Sequence, residues 1–401
     1  MTTHDNPQTP PAAGVDRPGP DATIRPFRIA IPQADLDDLG DRLARTRWPD
    51  EVDGAGWAYG SNLAYMRELV DYWRTRFDWR AQEATLNTFA QFRADVDGVG
   101  IHVIHERGKG PNPLPIILTH GWPDSFWRML KLIPLLADPE RHGGDPADSF
   151  DVIVPSLPGF GFSDRPTEPG FAQDRIADLF AALMTALGYP RFAAHGGDWG
   201  SGVTEQLALR HAASLVGIHL TDVPYGHLFT IPEDGLSAEE RAYLAAGQRW
   251  QRDEGAYALI QGSKPQTLAY GLTDSPVGLA AWLVEKFRAW SDCDGDVERR
   301  FTKDELLANI TLYWVTNTIN SANRLYYEAQ HRPSRDGSGR ISVPTGVAIF
   351  PKDIVPAPRA FGERFFNVQR WTEMPRGGHF AAWEEPDLLA QDIRAFFRGL
   401  R

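Results

Sequence analysis

The sequence predicts an α/β protein, with a mostly parallel sheet, helices on both faces, a helical insertion and an N-terminal helical meander. Three observations carry this. Apolar runs of strand length alternate with amphipathic helices from 91 to 223, the pattern of parallel strands joined by helical crossovers. From 224 to 340 the rhythm breaks into a helical, aromatic-rich block (Trp250, Tyr257, Trp282, Phe287, Trp290, Tyr313, Trp314 and Tyr326) with no convincing strand. The β pattern resumes within 341–401, so the block reads as a lid set between two halves of one sheet.

Residues 1–24 are rich in Pro, Gly, Thr and Asp without apolar periodicity, and read as a disordered leader. Residues 25–90 form the meander. Leu36, Leu39 and Leu43 make an i, i+3, i+7 stripe, and a second helix around 63–77 carries Tyr65, Leu69, Tyr72, Trp73 and Phe77. Trp48, Trp57, Trp73 and Trp79 make this segment too apolar to stand alone, so it is expected to pack on the rest of the chain. Near Gln91 the period changes to two, and a hairpin turning at Asp97-Gly98 is expected. Strands at 115–119, 151–155 and 191–194 are each followed by a helix, around 127–136, 175–187 and 200–211. A strand at 216–220 ends the first half of the sheet. A strand at 344–350 and a helix at 386–397 close the chain.

Composition removes several function classes. The net charge is -12, from 41 basic and 53 acidic residues, with no Lys/Arg-rich block, which argues against nucleic acid or an anionic membrane surface as partner. Cys293 is the only cysteine, so no intrachain disulfide can form. No apolar run approaches the roughly 20 residues that span a bilayer, and no secretory signal pattern is evident. A cytoplasmic protein without a stable membrane anchor is expected. His102 and His105 point to opposite faces of a strand, so no zinc site is expected there. Pro158-Gly-Phe-Gly-Phe-Ser163 lacks the third glycine of a dinucleotide loop.

The chemistry concentrates at the ends of the expected strands. Gly196-Gly-Asp198-Trp-Gly200 has the Gly-x-nucleophile-x-Gly spacing of a nucleophile elbow, a strand-to-helix turn that needs glycine on either side. A carboxylate in the nucleophile position gives an alkyl ester, so the matching substrates are strained or activated carbons such as epoxides and alkyl halides. The competing reading is a helix N-cap aspartate. His379, in Arg376-Gly-Gly-His-Phe-Ala-Ala-Trp-Glu-Glu-Pro386, follows in the chain order nucleophile, acid, histidine. It can serve as base toward water near neutral pH. Asp353, just past a strand end, is the favoured acid to orient it, and Asp222, past the preceding strand, is the rival. His120-Gly-Trp-Pro123 places the Trp122 backbone N–H to form an oxyanion hole with that of Trp199. An alkoxide leaving an opened epoxide needs a donor, and a phenol remains protonated at neutral pH. Composition cannot choose among the 11 tyrosines.

These motifs, with Leu157-Pro-Gly-Phe-Gly-Phe-Ser163, the insertion segment 274–287 and Thr46-Arg-Trp-Pro49, resemble the microsomal-type epoxide hydrolases from Pro26 to the C-terminus. The resemblance implies the α/β-hydrolase fold and hydrolysis of an epoxide to a vicinal diol. It assigns Asp198 as nucleophile, His379 as base and Asp353 as its acid, with Tyr257 and Tyr326 as proton donors. Tyr327 is adjacent and competes for the second donor position. It implies no cofactor or metal. The expected substrate is a small, apolar, aryl-bearing epoxide, with water as co-substrate, and a homodimer is left open. Two departures stand out. Asp124 occupies a position where the family usually has glycine, and a polar leader replaces the membrane anchor. Two other readings are a haloalkane dehalogenase using the same aspartate and a non-catalytic binding protein of the same fold.

Overall fold

The structure, a computed structural model, describes residues 23–232, 234–332 and 339–401. Its centre is a nine-stranded sheet among the described residues, in the order β1-β2-β3-β5-β4-β6-β7-β8-β9. The strands are β1 (Thr23–Pro26), β2 (Gln91–Val96), β3 (Val99–Glu106), β4 (Leu114–Thr119), β5 (Phe150–Pro155), β6 (Phe192–Gly196), β7 (Leu215–Leu220), β8 (Pro344–Ile349) and β9 (Asn367–Glu373). Pairing is antiparallel from β1 through β3 to β5 and parallel across the rest of the sheet. Strand β5 is buried along its whole length, as expected of a strand covered by helices on both faces. The β2–β3 turn has Asp97 and Gly98 both at positive φ, 48° and 77°, the requirement of a tight two-residue hairpin.

Strand β4 lies between β5 and β6, so the chain leaves it in opposite directions. That switch point opens a crevice at the strand ends, where ligands of open α/β sheets bind. The loop after β4 carries Trp122 and the turn after β6 carries Asp198.

Between β7 and β8 the described residues form helices only, the longest being Ala238–Asp253, Pro276–Trp290, Lys303–Thr316 and Ile319–His331. Two of them start with reciprocal capping boxes, Ser237 with Glu240 and Thr302 with Glu305. The N-terminal helices Gln33–Ala44, Leu63–Thr75 and Trp79–Leu86 pack on this insertion. Trp73 Nε1 donates to Thr311 (3.0 Å), Tyr72 to Asp304 (3.0 Å), and Ser61 to the Ala281 carbonyl (2.6 Å).

Three elements differ from the sequence expectation. The boundary between a leader ending at 24 and a meander starting at 25 falls inside β1, which adds to the sheet edge beside β2. The rest of the leader, 1–22, lies outside the described residues. Strand β9 was not foreseen, because its residues are polar and only half-buried at the opposite edge. The helix expected at 127–136 is broken into a short 3-10 turn, Phe126–Met129, and a helix Leu132–Ala137.

Candidate active site

Asp198 holds φ 57° and ψ -126° between β6 and the helix Trp199–Arg210. A non-glycine residue there is strained, and strain at this turn lifts its side chain into the crevice. The flanking glycines follow from close approach. A Cβ on Gly196 would collide with the Gly200 carbonyl, and one on Gly200 with the Thr119 carbonyl of β4. Asp198 does not cap its own helix, since its side chain takes no hydrogen bond from the helix N-terminus. Its Oδ1 accepts instead from the Trp122 backbone N–H at 2.8 Å.

His379 Nε2 faces Asp198 Oδ2 at 3.3 Å, and His379 Nδ1 is bonded to Asp353 Oδ1 at 2.7 Å. Asp353 Oδ1 also accepts from the Tyr225 hydroxyl (3.1 Å) and the Ile354 N–H (2.6 Å). Asp222 takes a different place. Its Oδ2 accepts from the Asp198 backbone N–H at 2.8 Å, so it supports the strained turn, while the imidazole's hydrogen bond goes to Asp353. Burial opposes ionisation of Asp353, but the charge and hydrogen bond of His379 outweigh it and hold the carboxyl below its ordinary value. For Asp222 burial wins, joined by the Asp353 charge, and its carboxyl is raised. Burial alone would lower His379. The carboxylates of Asp353 and Asp198 reverse this and raise it above the ordinary imidazole range.

The peptide carrying His379 is fixed on every side. Its N–H donates to the Trp290 carbonyl (2.8 Å), and its carbonyl accepts from Arg128 (2.6 Å). Glu384 accepts from the N–H groups of Gly378 (3.1 Å) and Phe380 (3.0 Å). Asp124, the departure from the usual glycine, belongs to the same frame. It is fully buried, accepts from the Gly121 N–H (2.9 Å) and pairs with Arg128 (2.8 Å). It braces the Trp122 loop from behind, away from the crevice. Sequence reasoning passed over Tyr225 and Arg128, because each acts through a partner distant in sequence, and over Glu384, which acts on backbone N–H groups.

The insertion closes the crevice with aromatic rings. The rings of Tyr257 and Tyr326 lie 5.8 Å apart at 78°. Tyr257 stacks on Trp122 at 5.1 Å and 6°, while Tyr326 meets Trp199 edge-on at 4.7 Å. The side chains of Trp199 and Tyr257 both lie against Tyr326. Burial, then the nearby Asp198 charge, pushes the Tyr257 phenol up, so it stays protonated. Burial, then Tyr257 and Asp198, does the same at Tyr326. Tyr327 turns outward and stacks on His331 at 3.9 Å, which separates it from the crevice. The structure therefore brings Asp198, His379, Asp353, Tyr257, Tyr326, Trp122 and Trp199 to one place. A carboxylate, a two-sided imidazole, the Trp122 backbone donor and protonated phenols are thus brought together.

Comparisons with known proteins agree with this arrangement. Residues 24–129 match the family described as epoxide hydrolase N terminus, and 115–234 match the alpha/beta hydrolase fold. A Stigmatella aurantiaca protein provisionally named an epoxide hydrolase is 49% identical over 379 residues, covering 94% of this chain and 86% of its own length. Epoxide hydrolase 1 of Sus scrofa is 36% identical over 405 residues, covering 94% and 89%. The crystal structure of juvenile hormone epoxide hydrolase from Bombyx mori superposes with a TM-score of 0.82 at 30% identity, covering 95% of both chains. Among the described residues no helix is long and apolar enough to cross a membrane. With the fold, the site geometry and relatives of this identity along nearly the whole chain in agreement, the protein belongs to the epoxide hydrolase family, enzymes of the α/β-hydrolase fold.

Proposed function

We propose that this chain hydrolyses an apolar, aryl-bearing epoxide to a vicinal diol through an ester on Asp198. The observation that carries the reading is the pair of protonated phenols, Tyr257 and Tyr326, near enough to Asp198 to feel its charge, with the Oδ2 of that carboxylate 3.3 Å from His379. Asp198 attacks a ring carbon and the C–O bond breaks. The departing oxygen takes a proton from one tyrosine while the other donates a hydrogen bond. Ester formation removes the Asp198 charge, and with it part of what keeps His379 protonated. The imidazole can then lose its proton, returning it toward the tyrosinate, and become the base the second step requires.

In that step His379, oriented by Asp353, takes a proton from water, and the water oxygen attacks the Asp198 carbonyl carbon. The tetrahedral oxyanion forms where the Trp122 N–H already contacts Asp198 Oδ1, with the Trp199 N–H as its partner donor. Collapse breaks the bond to the alkoxide, the proton of the added hydroxyl passes to that departing oxygen, and the diol leaves with the carboxylate restored. The surrounding indoles of Trp122, Trp199 and Trp290 favour a flat apolar substituent.

The test is turnover of styrene oxide compared with bromoalkanes. Diol without halide release is expected. Tyr257→Phe should lower epoxide turnover by roughly 10²-fold, the usual contribution of a positioned proton donor. Halide release without diol would assign the same aspartate to dehalogenation.

A further inference from the structure

The helix Pro276–Trp290 runs behind Tyr257 and carries a lysine that the chemistry above does not use. Lys286 is buried, with a side chain 9% exposed. Its ammonium lies 5.0 Å from the centre of the Tyr257 ring, 5.8 Å from that of Trp282 and 5.9 Å from that of Trp290. Glu285 pairs with it from the same helix, and Glu254, at the end of the helix Ala238–Asp253, also feels its charge. These two carboxylates and the Tyr257 phenol are the titratable groups that face it.

Taking an ammonium out of water is costly, and an apolar side chain of similar volume fills such a space at lower cost. A role in packing alone therefore does not account for a cation at this position. The ring it sits against is the one stacked on Trp122, whose backbone N–H contacts Asp198. A cation over a phenol ring is attracted to its π face, which fixes the ring. It also draws electron density from the ring, which makes the hydroxyl a stronger donor to a developing alkoxide.

We infer that Lys286 is a positioning residue for epoxide opening, holding Tyr257 against Trp122 and strengthening its hydroxyl as donor to the departing oxygen. The inference rests on the proposed role of Tyr257. It is confined to the first half of the reaction, because the second half runs on His379, Asp353 and backbone N–H groups.

The confinement makes it testable by single-turnover kinetics with styrene oxide, following ester formation and ester hydrolysis separately in wild type, Lys286→Met, Lys286→Gln and Lys286→Arg. Ester formation is expected to slow roughly tenfold in the Met and Gln variants, the scale of a desolvated cation–π contact, with Arg recovering most of it. Ester hydrolysis should stay within about twofold of wild type, since no cation–π contact to Tyr257 enters that step. Unchanged ester formation, or an equal fall in both steps, would overturn the inference. Absence of any ester in wild type would instead overturn the proposed function itself.

Discussion

Replacing Asp198 with alanine is expected to lower epoxide turnover by at least roughly 10⁴-fold, the scale seen when a covalent nucleophile is removed. No neighbouring group can take over its part. Asp222 is turned to the Asp198 backbone, and Asp353 lies on the far side of the imidazole. The variant should still fold, because the strain of the turn resides in the backbone and its support by Asp222 reaches the peptide N–H, not the side chain. It should also leave a spectroscopic trace. Asp198 is one of the two carboxylates that raise His379, so the imidazole of Asp198→Ala should titrate lower than in wild type when followed by NMR. Turnover within about tenfold of wild type would mean that the carboxylate is not the attacking group.

The second large effect separates the two half-reactions. His379→Gln should leave ester formation largely intact and slow ester hydrolysis on the order of 10³-fold or more, the contribution of a general base acting with its orienting acid. The ester should then accumulate, and intact-mass measurement should show the protein heavier by one substrate. Wild type should show the same behaviour in acid, and the sign can be worked out. In the free enzyme Asp353 and Asp198 together hold His379 above its ordinary value. Esterification removes one of those charges, so the value falls in the intermediate. As pH drops through that lowered value, the imidazole becomes protonated and cannot accept a proton from water. Hydrolysis stops, while ester formation, which needs no basic imidazole, continues. A rapid quench at falling pH should therefore find a growing fraction of ester. An acid limb confined to ester formation would contradict the assignment of His379.

What could be read from sequence was set by whether the physical requirement is local. The elbow was legible because its glycines are needed within two residues of Asp198, where the collisions with Gly200 and Thr119 would occur. The alternation of strands and helices was legible because β4 to β7 are apolar along most of their length. Strand β1 has four residues with one partly buried, and β9 is polar, so neither carries a periodic signal. The choice of Asp353 over Asp222 depends on where a histidine 26 residues further on places its ring. The choice of Tyr326 over Tyr327 depends on which side of the helix Ile319–His331 faces Trp199. The departure at Asp124 was visible as a residue, but its meaning required Arg128 and the His379 carbonyl beside it. Lys286 was hidden because its aromatic surroundings come from two separate helices.

The central claim is that water attacks the enzyme and not the substrate. One turnover in ¹⁸O-enriched water, with enzyme in excess over epoxide, tests it most directly. The diol should carry no label, and a peptide containing Asp198 should be heavier by one ¹⁸O. Label in the diol with Asp198 unlabelled would show direct attack by water and contradict the covalent route.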